Sequence, residues 1–113
     1  MALKPLPITD DELNILGQRL LLKNPVSVRF LEQALKQTIV FDGKQSDYGP
    51  ANIADFGTYG VVVRMNDKFR RIAHLFQQGR RRRPVNEAIR DSFLDIANYA
   101  IIAHLLETNN WGE

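Results

Sequence analysis

Four polar side chains near the C-terminal end are spaced so that a helix would place them on one stripe. Successive members are three or four residues apart, and they are Glu87, Asp91, Asp95 and Asn98. At about 100° per residue this spacing aligns them along one helix face. The stripe then continues as Ile102, Leu105 and Leu106, so we expect it to be half-buried. Carboxylates avoid the interior unless they are paired or bind a metal.

A second helix is expected to carry the matching positive charge. Its face has residues at i, i+3, i+4 and i+7, which are neighbours on a helix, namely Arg64, Asp67, Lys68 and Arg71. The short connection that follows makes the two helices antiparallel neighbours. In one interpretation, Asp91 and Asp95 form partly buried ion pairs with Arg64, Lys68 or Arg71, and the two charged edges neutralise each other.

In the other interpretation, the same surface processes a nucleotide. Mg²⁺ prefers oxygen ligands and shares them with substrate phosphates, so its expected ligands are Asp67, Glu87, Asp91 and Asp95. Such a site suits metal-assisted hydrolysis of a phosphoanhydride, with Glu87, Asp91 and Asp95 as the catalytic carboxylates. The residues expected to bind the nucleotide itself are Tyr48, Asn52, Arg64, Lys68, Arg71 and Asn98.

Hydrophobic periodicity predicts an all-α domain, a bundle of four main helices with one additional short helix. An extended lead-in of residues 1–8 precedes a capping box, Thr9–Glu12, that begins the first helix. The predicted helices cover residues 10–23, 25–40, 51–56, 61–77 and 84–106, with a loop over residues 41–50. Val61–Val63 is β-branched and also suits a strand. The apolar spacing of Val62, Met65, Phe69, Ile72 and Phe76 favours a helix there.

The length of 113 residues indicates a single domain, 1–113, with one core. The chain has no cysteine, which excludes disulfides and thiolate sites. It shows no apolar run that suits a signal peptide or a membrane span, so we expect a cytoplasmic protein without a membrane partner. The pI of about 9.2 owes much to four consecutive arginines, Arg80–Arg83. A nucleic-acid-associated protein that uses this run is therefore a third hypothesis.

The second half of the chain, residues 45–106, resembles the phage and bacterial nucleotide modification associated domain of the first type. The segments that carry this resemblance are DYGPANIADFGTYGVVVRMNDKFRRIAHL and NEAIRDSFLDIANYAIIAHL. The second segment is also similar to the acidic helix of the all-α NTP pyrophosphohydrolases, the MazG-like and dimeric dUTPase superfamily. That superfamily binds Mg²⁺ through E-x-x-E and E-x-x-D motifs and cleaves nucleoside triphosphates between the α and β phosphates. If the protein is phage-encoded, its location would be the cytoplasm of the bacterial host.

The resemblance implies a MazG-like, oligomeric fold and Mg²⁺-dependent hydrolysis of a nucleoside or deoxynucleoside triphosphate or a modified nucleotide, in phage-type nucleotide metabolism. This chain differs in its acids, since the earlier helix reads Arg64-x-x-Asp67-Lys68 and the acids of the later helix are four residues apart. A protein that binds or sequesters a nucleotide without hydrolysing it is therefore the alternative. The final helix is apolar on nearly every side, which predicts a homo-oligomer, a dimer or larger.

Overall fold

A computed structural model describes residues 5–78 and 83–112, and only the backbone of residues 50 and 83–86. These residues form five α-helices and no β-strand. The helices are α1 (Asp10–Arg19), α2 (Pro25–Tyr48), α3 (Pro50–Ala54), α4 (Gly57–Gln77) and α5 (Arg83–Glu107). The prediction of an all-α fold with four main helices and one short helix is confirmed. No helix in the described residues has the length and apolar character needed to cross a membrane.

Helix α1 begins at the predicted capping box and ends earlier than predicted. The Thr9 hydroxyl accepts from the Glu12 N–H at 3.1 Å, and the Glu12 carboxylate accepts from the Thr9 N–H at 2.8 Å. The predicted end near Lys23 is wrong. Leu21 adopts a left-handed backbone, φ 59°, and the Leu22 N–H bonds back to the Gly17 carbonyl at 3.0 Å. This is a Schellman motif, which closes the helix by satisfying its last carbonyls.

Helix α2 extends well beyond the predicted end near Val40. The stretch predicted as a loop is helical through Tyr48, and Gly43 lies inside the helix. A glycine inside a helix costs about 1 kcal/mol relative to alanine, which is too little to end a helix by itself. The chain leaves the helix where glycine and proline come together, at Gly49 with φ 81° and Pro50.

The described residues fall into two compact units, one up to Lys44 and one from Gln45 onwards, and α2 belongs to both. In the first unit, α1 approaches the start of α2 closely at Gly17. A Cβ atom at that position would lie 3.3 Å from a methyl group of Val28. Leu13, Gly17 and Gln37 are buried in this unit.

The second unit contains α3, α4 and α5. Gly57 has φ 67°, as its predicted position after the short helix requires, but α4 already begins there rather than at Val61. The prediction of an α4 start at residue 61 is therefore wrong by one turn. Gly60 lies in this first turn, where a Cβ atom would come within 2.7 Å of the Phe56 Cβ. The turn can close against Phe56 because residue 60 has no side chain.

Helices α4 and α5 make the most extensive contact of the second unit, and they are antiparallel. The Thr58 hydroxyl, at the start of α4, donates to the Glu107 carboxylate, at the end of α5, at 2.6 Å. The most buried residues of the two helices are Val61, Ile72, Ile89, Ser92 and Ile102. The prediction of a helix rather than a strand at Val61–Val63 is confirmed.

The predicted apolar stripe of α4 is partly wrong. Ile72 is buried as predicted, but Val62, Phe69 and Phe76 are 47%, 54% and 40% exposed. Val61, one position away from Val62, is fully buried instead. The apolar residues of α4 cover more than one face, and the position of α5 determines which of these faces is buried.

Helix α5 ends where the sequence predicts, at Thr108–Asn110. Asn109 adopts a left-handed backbone, φ 56°, and the Asn110 N–H bonds to the Leu105 carbonyl at 2.8 Å. Asparagine tolerates this conformation better than most residues, so the local sequence is suited to a Schellman ending. Phe93 and Ile101 on the same helix remain 51% and 58% exposed, which is the apolar surface on which the prediction of an oligomer depends.

Candidate functional site

The centre of the candidate site is an ion pair between α4 and α5. The Lys68 Nζ lies 3.0 Å from the Asp95 Oδ2, and the two side chains are 31% and 26% exposed. At this distance the ammonium donates a charge-assisted hydrogen bond to the carboxylate. The interpretation in which the acidic stripe pairs with the cationic edge is therefore realised at this position.

The antiparallel register determines which other charged residues lie level with one another. Two contacts define it, Lys68 with Asp95 and Thr58 with Glu107. In this register Asp91 lies at nearly the height of Arg71 along the helix axis. Arg64 lies about 12 Å from the level of Asp91 along the helix axis, at a rise of 1.5 Å per residue. The register thus sets Lys68 beside Asp95 and places Arg71 level with Asp91.

The acidic stripe of α5 is half-buried at its centre, as the sequence predicts. Asp91, Asp95 and Asn98 are half-buried, Ile102 is buried, and Glu87 is exposed. Glu87 is eight residues before Asp95, which corresponds to about 12 Å along the helix. The three acids predicted as catalytic are therefore spread along the helix, and Asp91 and Asp95 occupy the level of the cations.

The acids predicted to bind Mg²⁺ lie on both α4 and α5. In the ranges 5–78 and 83–112, no three Asp, Glu or His side chains are grouped closely enough to hold a metal ion. Asp95 is already neutralised by Lys68, and Asp67 is exposed on α4. Within these described ranges, Asp67, Glu87, Asp91 and Asp95 therefore do not gather around one common point. The Mg²⁺ requirement stays a prediction.

The cationic edge of α4 has one half-buried member and two exposed ones. Lys68 is half-buried against α5, whereas Arg64 and Arg71 are exposed. Residues three and four apart on a helix are neighbours, so Arg64 and Arg71 lie one turn before and one turn after Lys68. A row of positive groups with a free outer side suits the binding of several linked phosphates.

The residues predicted to contact a base lie on the segment that precedes α4. Tyr48 is the last residue of α2, and Asn52 is inside α3. Both are exposed, Tyr48 to 68%. Of the arginine run, Arg80–Arg82 lie outside the described residues, and Arg83 is the first residue of α5. The hypothesis that this run binds nucleic acid stays a prediction.

One polar contact of the site region was not predicted from the sequence, the hydrogen bond from Thr58 to Glu107. Neither residue belongs to a recognisable motif, and they are 49 positions apart. Once α4 and α5 are taken to be antiparallel, a hydroxyl at one helix start and a carboxylate at the other helix end are candidates for pairing. The pairing could be expected only if α4 were known to begin at Gly57 rather than at Val61.

Comparison with known proteins gives the family of the second unit. Residues 44–106, more than half of the chain, match the family described as Nucleotide modification associated domain 1. The match begins next to the boundary between the two units, at Lys44, and includes α3, α4 and almost all of α5. No curated protein and no solved structure matches the chain. The family description associates the matched region with nucleotide modification, and the chain belongs to the nucleotide modification associated domain 1 family.

Proposed function

We propose that the second unit binds the phosphates of a nucleotide on the α4–α5 surface around Lys68 and Asp95. The observation that carries the proposal is the half-buried Lys68–Asp95 pair, which lies within the matched family region, residues 44–106. The family description links this region to nucleotides, and the charged side chains on this surface are of the type that bind phosphate.

One lysine and two arginines of α4 would each bind phosphate oxygens. The Lys68 ammonium has three donors and uses one on Asp95, so two remain for phosphate oxygens. Arg64 and Arg71 are exposed, and each guanidinium can bind a phosphate with two parallel hydrogen bonds. Tyr48 and Asn52 would recognise the base, the tyrosine by stacking and the amide by hydrogen bonds.

Mg²⁺-dependent hydrolysis of a nucleoside triphosphate is a second candidate function. It is favoured by Asp91 and Asp95, two half-buried acids one helical turn apart, and by the similarity of α5 to the acidic helix of the all-α pyrophosphohydrolases. Mg²⁺ often uses only one or two protein carboxylates when substrate phosphates and water complete its shell. The ion would then polarise a phosphate and activate water. Because the described acids form no group of three, this function requires the ion to arrive with the nucleotide.

Binding and product analysis on the same samples separate the two candidates. The protein is titrated with a panel of ordinary ribo- and deoxynucleoside triphosphates with Mg²⁺, and released pyrophosphate is measured after a long incubation. Binding should weaken about tenfold in R64M and R71M, which is the loss of one charge-assisted contact. The matched control R70M changes an exposed cation of the same helix and should bind normally.

The outcomes are distinct. Saturable binding with an unchanged ligand supports the binding function, and release of pyrophosphate that disappears in D91N supports hydrolysis. If none of the nucleotides binds, or if R70M weakens binding as much as R64M and R71M do, the proposed phosphate site is wrong.

The predicted homo-oligomer is also a proposal. It is supported by the exposed apolar side chains on both long helices of the second unit, Val62 and Phe69 on α4 and Phe93 and Ile101 on α5. A contiguous patch of exposed apolar groups is typical of a surface that contacts another protein, and these side chains are the ones that would form it. Light scattering on the full chain measures the oligomeric state directly, and a monodisperse monomer would contradict the proposal.

A further inference from the structure

The Lys68–Asp95 pair supplies a positive charge where the family resemblance implies a metal ion. The Nζ–Oδ2 distance is 3.0 Å, and about seven tenths of each side chain is out of water. A charge pair at this distance interacts more strongly in a partly dehydrated site than at an exposed surface. Asp95 therefore has a counter-ion that is part of the fold.

A divalent ion and the Lys68 ammonium would compete for the same carboxylate. The ammonium already lies 3.0 Å from Oδ2, and a divalent ion on the same carboxylate would lie within a few ångströms of it, where two cations repel. Over the described ranges, the remaining acids do not form a separate group of three that could bind a metal ion elsewhere. The Lys68–Asp95 pair is itself balanced in charge without a divalent ion.

We infer that Lys68 replaces a resident divalent cation at this position, and that a nucleotide binds by drawing the Lys68 ammonium from Asp95 to a phosphate oxygen. The inference rests on the proposed function, since it assumes that this surface binds nucleotide phosphates. Its consequence is that binding does not require a metal ion.

The geometry favours movement of the lysine. Its ammonium is carried on a flexible four-carbon stem, whereas the Asp95 carboxylate is held close to the α5 backbone by a short side chain. A polyphosphate carries several negative charges, and Arg64 and Arg71 hold it one turn to either side of Lys68. Lys68 then exchanges the Asp95 carboxylate for a polyphosphate, which carries more negative charge.

In this exchange Asp95 is a competitor of the ligand. It occupies Lys68 in the free protein and repels the phosphates in the complex. Removing its charge should therefore strengthen binding, although the same change breaks an ion pair of the free protein. A carboxylate that only helped to hold a metal-bound nucleotide would have the opposite effect.

The test measures the affinity for each nucleoside triphosphate of the panel by calorimetry, in EDTA and in Mg²⁺. For any nucleotide that binds, the affinity of the unmodified protein in EDTA should stay within about threefold of its value in Mg²⁺. In EDTA, D95N should bind about tenfold more tightly and K68M about tenfold more weakly, where tenfold is about 1.4 kcal/mol. The matched controls D55N and R70M change exposed residues of the same unit and should stay within about twofold, a difference well below 1 kcal/mol.

The results separate this inference from the proposed function. Binding in Mg²⁺ that EDTA abolishes overturns the inference and leaves the phosphate site intact. Weaker binding by D95N in EDTA also overturns it, provided that its circular dichroism matches that of the unmodified protein. The EDTA comparison on the unmodified protein needs no variant, so it decides the question even if D95N or K68M does not fold. Absence of binding to every nucleotide in both buffers refutes the proposed function, and the inference with it.

Discussion

The energetic coupling between Lys68 and Asp95 can be measured by a double-mutant cycle. The variants are K68M, which keeps an unbranched apolar stem of similar length, D95N, which keeps the shape of the carboxylate, and the two combined. Each single change leaves one charged group half-buried without this partner. The combined change removes both charges of the pair, so the double variant should lose less unfolding free energy than the sum of the two single variants.

The expected magnitude follows from the geometry. Two unit charges 3.0 Å apart attract by about 1.4 kcal/mol in water and about 5.5 kcal/mol at an effective dielectric constant of 20. Desolvation and loss of side-chain freedom cancel most of this attraction, and exposed pairs retain about 0.2–1 kcal/mol. Because both side chains keep between a quarter and a third of their surface in water, we expect a coupling of about 1 kcal/mol. Each single variant should lose roughly 1.5 kcal/mol of unfolding free energy, since it strands a partly desolvated charge.

The assay is urea unfolding followed by fluorescence. Trp111 is the single tryptophan of the chain and belongs to the second unit, so its emission reports on the unit that contains the pair. The measurement is repeated at low and high salt. A partly buried pair is screened less than an exposed one, so more than half of the coupling should survive about 0.5 M salt.

A matched pair in the first unit provides the control. Arg29 and Glu32 on α2 are 3.3 Å apart, but the arginine is 76% exposed. The cycle of R29M and E32Q, followed by circular dichroism, should give a coupling of about 0.3 kcal/mol, as is usual for exposed helix pairs. If the Lys68–Asp95 coupling is no larger than this control, the pair does not hold α4 to α5, and our description of the site as a partly desolvated ion pair is wrong.

Two further predictions concern stability. Replacing the fully buried Val61 with alanine should cost about 2 kcal/mol of unfolding free energy through lost burial and a cavity. The control V62A, at a position 47% exposed, should change the unfolding free energy by less than about 0.5 kcal/mol. Equal effects of the two variants in fluorescence-detected urea unfolding would contradict the assigned packing face of α4. Replacing Leu21, which is 80% exposed with φ 59°, with glycine should raise the melting temperature, since it relieves a left-handed strain of about 1–2 kcal/mol. L20G, at a right-handed position with φ −84°, should lower the melting temperature, and a lower value for L21G as well would refute the assigned ending of α1.

Local sequence was sufficient for the features that depend on neighbouring residues. The capping box at Thr9–Glu12 and the left-handed ending at Asn109 depend on side chains and backbone within a few positions, so their residue types indicate them directly. The same holds for the helical nature of α4, whose long apolar spacing outweighs its three valines. Local reasoning was wrong at the turn formers of residues 41–48, because a glycine and polar residues lower helix propensity only slightly. It also missed Leu21, because leucine rarely adopts a left-handed backbone.

The sequence by itself determined which charged side chains are candidates for the site. It determined that one helix carries a stripe of acids that runs into apolar residues, and that a preceding helix carries the cations. It left three cations as equal candidates, because residues at i, i+4 and i+7 share a face and residue types do not rank them. The tertiary structure decided this choice. The antiparallel register of α4 and α5 sets Lys68 beside Asp95 and moves Glu87 away from the centre, since the sliding of one helix along another depends on packing across their whole length.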